Sequence, residues 1–103
     1  MRDEIKQQIE NDLKSNKVIL YMKGTKDSPM CGFSARTVDI LKEHEVPFKT
    51  VNILENEELR GALKEYSDWP TFPQLYVDGE LVGGCDIVTE LHGSGELTKL
   101  LGK

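Results

Sequence analysis

Cys31 follows Pro29-Met30 and precedes Gly32-Phe33-Ser34, at a junction where a strand-like run gives way to a helix-like one. A thiol at the start of a helix faces unsatisfied backbone N–H groups and the positive end of the helix dipole, and both favour the thiolate. An unperturbed thiol pKa of about 8.5 leaves only about 3% thiolate at pH 7, whereas a value near 6 leaves roughly 90%. A helix start with Lys23 nearby can supply such a shift. Cys31 is therefore expected to be a nucleophile or a metal ligand rather than a buried, inert cysteine. Ser34 stands where a Cys-x-x-Cys pair would carry its second thiol. Because a serine cannot close an internal disulfide, the thiol that Cys31 meets must come from outside the motif.

Other residues fall into place around that thiol. Lys23 follows the first strand-like run and Arg60 lies early in a helix-like one, so both can reach the same end of a sheet; the alternative for each is a solvated surface charge. Gly84-Cys85-Asp86 opens a helix after a glycine break, and free N–H groups there offer a site for a carboxylate. Asp86 is also a candidate N-cap. Cys85 has three readings: a backbone contact for a ligand, favoured here, a resolving thiol, or packing. Trp69-Pro70 reads as half core and half rim. His44 and His92 are isolated in sequence near helix ends, and read as satisfied or solvated histidines rather than metal ligands.

The elements that position these groups follow from periodicity. Asp3 can cap a first helix with Ile5, Ile9 and Leu13 on one face, ending near Ser15-Asn16. Val18–Met22 reads as a buried strand, residues 23–29 as a polar loop, and Cys31 to about Glu45 as a helix ended by Val46-Pro47. Phe48–Ile53 is a second strand. Asn56-Glu57-Glu58 opens a third helix expected to bury Leu59, Ala62, Leu63 and Tyr66. Leu75-Tyr76-Val77 and Glu80-Leu81-Val82 flank Asp78-Gly79, the signal for a type I′ hairpin. Asp86–His92 and Glu96–Leu101 read as short helices separated by Gly93-Ser94-Gly95. The order α-βαβα-ββα-α, with a cysteine at the first strand-to-helix junction, is that of an α/β thioredoxin-like fold: a four-stranded mixed sheet flanked by about five helices.

The 103 residues, 30% charged and 38% apolar, fit one domain, residues 1–103, with one modest core. A formal charge of -5 and no basic cluster longer than a pair argue against nucleic acid or anionic membrane as the main partner. A charged N-terminus and an apolar run no longer than Val18–Met22 point to neither a signal peptide nor a membrane span, and hence to a cytoplasmic setting. Two cysteines 54 positions apart are too few for a disulfide scaffold and too distant for a paired zinc motif.

Lys23-Gly24-Thr25, Cys31-Gly32-Phe33-Ser34, Trp69-Pro70-Thr71-Phe72-Pro73-Gln74 and Gly83-Gly84-Cys85-Asp86 occur in order across essentially the whole chain. Together they resemble the four signature segments of monothiol glutaredoxins of the Cys-Gly-Phe-Ser type, in the short single-domain form. The resemblance implies binding of glutathione and of a glutathione-ligated 2Fe-2S cluster. It implies that Lys23 and Arg60 meet the glycine-end carboxylate of glutathione through charge-assisted contacts. It also implies that Pro73 follows a cis peptide bond facing Cys31, although X-Pro bonds are cis in only about 5 to 6% of cases. The Phe72 backbone would then pair with the cysteinyl unit like an added strand, with Thr71 and Pro73 beside it. The backbone at Cys85 would meet the γ-glutamyl carboxylate, and Asp86 would accept from its ammonium.

A 2Fe-2S cluster normally takes four protein ligands, usually thiolates, and this chain has two cysteines. Cluster binding thus requires a second protomer or a soluble thiol. The family arrangement implied here uses both: Cys31 from each of two protomers and two glutathione thiolates. Three functions remain open at this stage. The first is a homodimer that carries a 2Fe-2S cluster to apo iron–sulfur acceptor proteins, with BolA-like proteins as implied heteromeric partners. The second is a glutathione-dependent oxidoreductase in which Cys31 attacks a mixed disulfide and glutathione resolves it. The third is an inert thioredoxin-fold adaptor.

Overall fold

The computed structural model describes all residues, Met1–Lys103. Its elements are α1 (Asp3–Ser15), β1 (Val18–Met22), α2 (Gly32–Glu43), β2 (Lys49–Asn52), a 3-10 turn (Ile53–Glu55), α3 (Glu57–Ser67), β3 (Gln74–Val77), β4 (Glu80–Gly83), α4 (Cys85–Ser94) and α5 (Glu96–Leu100). The four strands form one mixed sheet in the order β2-β1-β3-β4.

Strand β1 is buried throughout, and its alternating side chains divide the core in two. Ile19 and Tyr21 face α1 and α3, joining Ile5, Ile9, Leu13, Leu59 and Leu63. Val18, Leu20 and Met22 face the other way, towards Val38, Ile40 and Leu41 of α2, Val88 of α4, and Leu97 and Leu101. Each such buried side chain contributes roughly 1.5–3 kcal/mol, and so the continuous apolar run fixes β1 as the centre of three layers. No helix is long and apolar enough to cross a membrane.

The topology also decides where a site can form. β1 pairs with β2 in parallel, Met22 opposite Asn52, so the end of β1 and the start of α3 come together. β3 runs antiparallel to β1 with Tyr21 opposite Gln74, which brings the segment before β3 to that same end. β4 reverses again, Gly83 opposite Leu75, and delivers the start of α4 there. Four segments distant in sequence therefore converge at one end of the sheet.

Asp78 and Gly79 both have positive φ, 52° and 81°, as a type I′ turn requires. Several sequence expectations need correction. Asp3 does not cap α1: Arg2 occupies the N-cap without a side-chain bond, and Asp3 and Glu4 lie in the first turn, where their charge suits the dipole. Arg2 instead makes a two-pronged ion pair with Glu58 at the start of α3. Helix α2 begins at Gly32, with Cys31 as its extended N-cap, and stops at Glu43 because Glu45 takes a left-handed φ of 54°. β2 ends at Asn52, whose Oδ1 accepts from the Leu54 N–H at 3.0 Å and turns the chain into the 3-10 turn. Tyr66 is exposed rather than buried. Helix α4 absorbs Gly93 and Ser94 and ends at Gly95, the residue that takes the left-handed φ of 84°. Asp86 lies inside α4, and Gly84 is the N-cap.

Candidate functional site: a cationic cleft around Cys31

The converging segments enclose a cleft of about 670 Å³. All the residues expected to bind or react line it: Lys23, Cys31, Arg60, Thr71, Phe72, Pro73, Cys85 and Asp86. Phe33, Lys64, Trp69 and Ile87 line it as well. Lys64 was missed from the sequence, although its spacing of four residues from Arg60 on one helix places the two on the same face. The cleft thus gathers three cations against a single carboxylate, in a chain whose overall charge is negative.

Cys31 is half-exposed and unbonded to Cys85, both being free thiols. Its pKa is lowered, first of all by the backbone N–H of Ser34, against the opposing effect of partial burial. The Phe33 N–H, the Lys23 charge and the Ser34 hydroxyl add to the lowering in that order. The first turn of α2, more than Lys23, therefore sets the acidity of this thiol. Phe33 and Met30 flank it with 63% and 71% of their surface exposed, leaving an apolar rim around the sulfur.

Ser34 explains itself in the structure. Its side chain is fully buried, and its Oγ accepts from the Lys23 N–H at 3.1 Å. The Lys23 carbonyl accepts from the Met30 N–H at 3.0 Å, and the Gly24 N–H donates to Asn52 Oδ1 at 2.9 Å. Asn52 thereby serves two N–H groups, one in the loop before Cys31 and one in the turn before α3. Lys26 closes the loop's outer side by donating to the Phe48 carbonyl at 2.8 Å while lying over the Phe48 ring.

Gln74, also fully buried, anchors the opposite wall. Its Nε2 donates to the carbonyls of Trp69 and Thr71 at 3.1 and 3.3 Å, and its Oε1 accepts from the Tyr76 hydroxyl at 2.9 Å. Burial pushes that tyrosine up to about 12, so it remains a proton donor at neutral pH. Phe72 is buried in the core, and the Phe72–Pro73 peptide bond is cis, as expected.

At the start of α4 the N–H groups of the first turn have no intrahelical partners. The Cys85 sulfur lies 3.9 Å from the Thr89 hydroxyl, and Asp86 is exposed. Two further polar atoms are left without partners although buried, Arg60 Nε and Trp69 Nε1. Both belong to residues lining the cleft, and unsatisfied donors in that position suit a ligand rich in acceptors.

The role of Ser34 has a test. In Ser34→Ala the backbone donors to Cys31 remain, so the pH midpoint of Cys31 alkylation should stay below the ordinary thiol value of about 8.5. Because alkylation follows the thiolate, a lowered pKa moves the rate profile to lower pH. Stability should fall by about 1 kcal/mol as the Lys23 N–H loses its acceptor. A midpoint restored to that of a free cysteine would show that the hydroxyl, not the helix start, controls the thiol.

The glutaredoxin family model matches residues 18–82 of the chain. A probable monothiol glutaredoxin 2 of Rickettsia felis is 61% identical over 93 residues, 90% of this chain and 89% of the relative. The chloroplastic monothiol glutaredoxin-S14 of Arabidopsis thaliana is also 61% identical, over 91% of this chain but only 54% of its own length. Among solved structures, reduced poplar apo GrxS14 superposes with a TM-score of 0.83 at 60% identity, covering 92% of this chain and 87% of that one. A buckwheat glutaredoxin solved with glutathione shares the fold at 21% identity and a TM-score of 0.83, over 98% and 93% of the two chains. With Cys31 at the head of α2 and a buried serine where a second thiol would stand, the chain belongs to the monothiol glutaredoxins.

Proposed function

We propose that this protein binds glutathione in the Cys31 cleft and, as a pair of protomers, carries a 2Fe-2S cluster to apo iron–sulfur acceptor proteins. The observation that carries this reading is the concentration of Lys23, Arg60 and Lys64 around a half-exposed, acidified thiol in a chain of net charge -5. Glutathione brings two carboxylates, an ammonium and a thiol. Three cations, the Asp86 carboxylate and the free N–H groups of α4 complement that set. Lys23, Arg60 and Lys64 would take the glycine-end carboxylate, the Phe72 backbone the cysteinyl unit with Thr71 and Pro73 beside it, and the Cys85–Asp86 backbone the γ-glutamyl end.

The donor set also fits a shared cluster. Cys31 is the one well-placed thiolate of the protomer, and four ligands are wanted, so two protomers and two glutathiones supply the rest. Half of the ligands then belong to a dissociable small molecule, which suits a cargo that is handed on. The exposed Met30 and Phe33 beside Cys31 offer an apolar rim for a second protomer or a BolA-like partner. A cytoplasmic setting, where thiols are kept reduced, completes the proposal.

Anaerobic reconstitution with iron, sulfide and glutathione, followed by sedimentation, tests it. A coloured dimer that loses its cluster when glutathione is removed is expected. A cluster-loaded monomer, or a cluster that persists without glutathione, would overturn the shared ligation. The lowered Cys31 pKa equally supports a second reading, monothiol exchange on glutathione mixed disulfides; rapid turnover by protein unable to acquire a cluster would establish that one instead.

Glutathione binding should depend on salt and weaken about tenfold or more when Lys23 or Arg60 becomes alanine, since a charge-assisted hydrogen bond is worth roughly 1.5–3 kcal/mol. Titration calorimetry measures this, and unchanged affinity in both variants would return the two cations to ordinary surface charges.

A further inference from the structure

The chain has two histidines, 48 positions apart, and the fold brings them together at the end of the helices opposite the cleft. His44 is the C-cap of α2 and His92 lies in the last turn of α4. Their rings meet with His44 Nε2 3.0 Å from His92 Nδ1, centroids 5.1 Å apart and planes at 74°. They are therefore not isolated, contrary to the sequence expectation. We propose that His44 and His92 form a binding site for a divalent transition-metal ion of borderline softness, such as zinc, separate from Cys31.

The other nitrogen of His92 carries the argument. Its Nε2 lies 3.2 Å from Glu43 Oε2; with the proton on Nε2 donated to that carboxylate, the Nδ1 lone pair faces His44, and the proton that His44 Nε2 donates to it moves to His44 Nδ1 or to solvent as the ion enters. An imidazole whose far N–H donates to a carboxylate is the usual state of a metal-ligating histidine. The spacing agrees as well. With Zn–N bonds of about 2.0–2.1 Å, two ligating nitrogens stand about 2.9 Å apart at a right angle and about 3.3 Å apart at the tetrahedral angle. Ring centres on a tetrahedral ion fall about 5.2 Å apart. The observed 3.0 and 5.1 Å need only small side-chain rotations.

The electrostatic setting favours a cation. Two helix C-termini, those of α2 and α4, converge here with the negative ends of their dipoles. Glu43 adds a carboxylate. Lys103 is the opposing charge, its ammonium donating to the His44 carbonyl at 2.7 Å and so occupying the backbone side of the corner. No third histidine, cysteine or carboxylate completes a closed cage. Water must fill the remaining positions, which makes the site open and exchangeable rather than structural. Nitrogen and oxygen donors distinguish it from the thiolate chemistry at Cys31.

Zinc chloride titrated into the protein, followed by imidazole nitrogen NMR and thermal melting, tests the proposal. One equivalent should shift His44 Nε2 and His92 Nδ1 saturably and raise Tm. Cys31→Ser should keep both effects, whereas His44→Gln or His92→Gln should lose them. Glu43→Gln retains both imidazoles and should weaken binding about tenfold. Imidazole nitrogens that do not move at saturating zinc would overturn the site. So would a rise in Tm that persists undiminished in the double histidine variant, because the ion would then be bound elsewhere.

Discussion

Cys31→Ser is expected to lose both cluster acquisition and thiol transfer, to background, while folding normally. The hydroxyl stays protonated at neutral pH, so it can neither attack a disulfide nor ligate iron in the way proposed for the acidified thiolate. Cys31 is a half-exposed N-cap with an extended backbone, and the change is nearly isosteric, so stability should shift by no more than about 0.5 kcal/mol. Iron and sulfide analysis after reconstitution, with a glutathione mixed-disulfide assay alongside, gives the result directly. Cys85→Ser is the contrasting variant: Cys85 is assigned a backbone role at the start of α4, and most of the cluster should survive its change. Undiminished iron in Cys31→Ser, or stoichiometric loss in folded Cys85→Ser, would mean that the two sulfurs have been given each other's roles.

Gly24→Ala should damage stability and binding together. Gly24 has a φ of 93°, and a Cβ placed on it would stand 2.5 Å from the Met30 nitrogen and 2.6 Å from the Ser28 carbonyl oxygen. Both are backbone atoms of the same tight loop, held by the Gly24–Pro29 bridge and the Thr25–Ser28 hydrogen bonds, and neither can swing aside. The unfavourable φ alone costs on the order of 1–3 kcal/mol, and Tm falls roughly 4–8 °C per kcal/mol in a domain of this size. The collision must also displace Lys23 and Met30, which flank the clash and lead into Cys31. Glutathione affinity should therefore drop about tenfold or more, the loss expected when the Lys23 charge-assisted contact goes. Melting and calorimetry on one preparation would decide. A variant that keeps both wild-type Tm and wild-type affinity would show that the loop is far more pliable than its hydrogen bonds indicate.

What the sequence revealed of this site depended on how local each signal was. Asp78-Gly79 between apolar runs specifies its own turn, and the apolar run of β1 specifies a central strand; both needed only their neighbours. Most cleft residues were legible because whole motifs surround them, and Arg60 from its place early in a helix that follows the second strand. Lys64, outside any motif, was passed over until α3 placed it one turn beyond Arg60. The helix ends were misjudged where a single backbone conformation decides: Glu45 stops α2 ahead of Val46-Pro47, and Gly95 rather than Gly93 stops α4. Ser34 and Asn52 carry ordinary polar side chains whose importance lies in partners distant in sequence, a lysine amide and a loop glycine. The His44–His92 contact was invisible for the same reason, since it exists only because α2 and α4 end side by side.

The convergence of four segments at one end of the sheet also imposes a timetable on synthesis. Cys31 leaves the ribosome early, but the Phe72 backbone, Gly84 and the first turn of α4 that enclose its cleft are translated much later. β1 cannot find its antiparallel neighbour until residues near 77 are available, since Val18 pairs with Val77. A nascent chain halted before Gly84 would present a reactive thiol with the Gly84–Asp86 wall of its cleft missing. Ribosome-stalled chains of increasing length should retain glutathione, the ligand proposed above, only once Asp86 and the later core residues Leu97 and Leu101 have cleared the exit tunnel, which makes ligand capture a marker of completed folding.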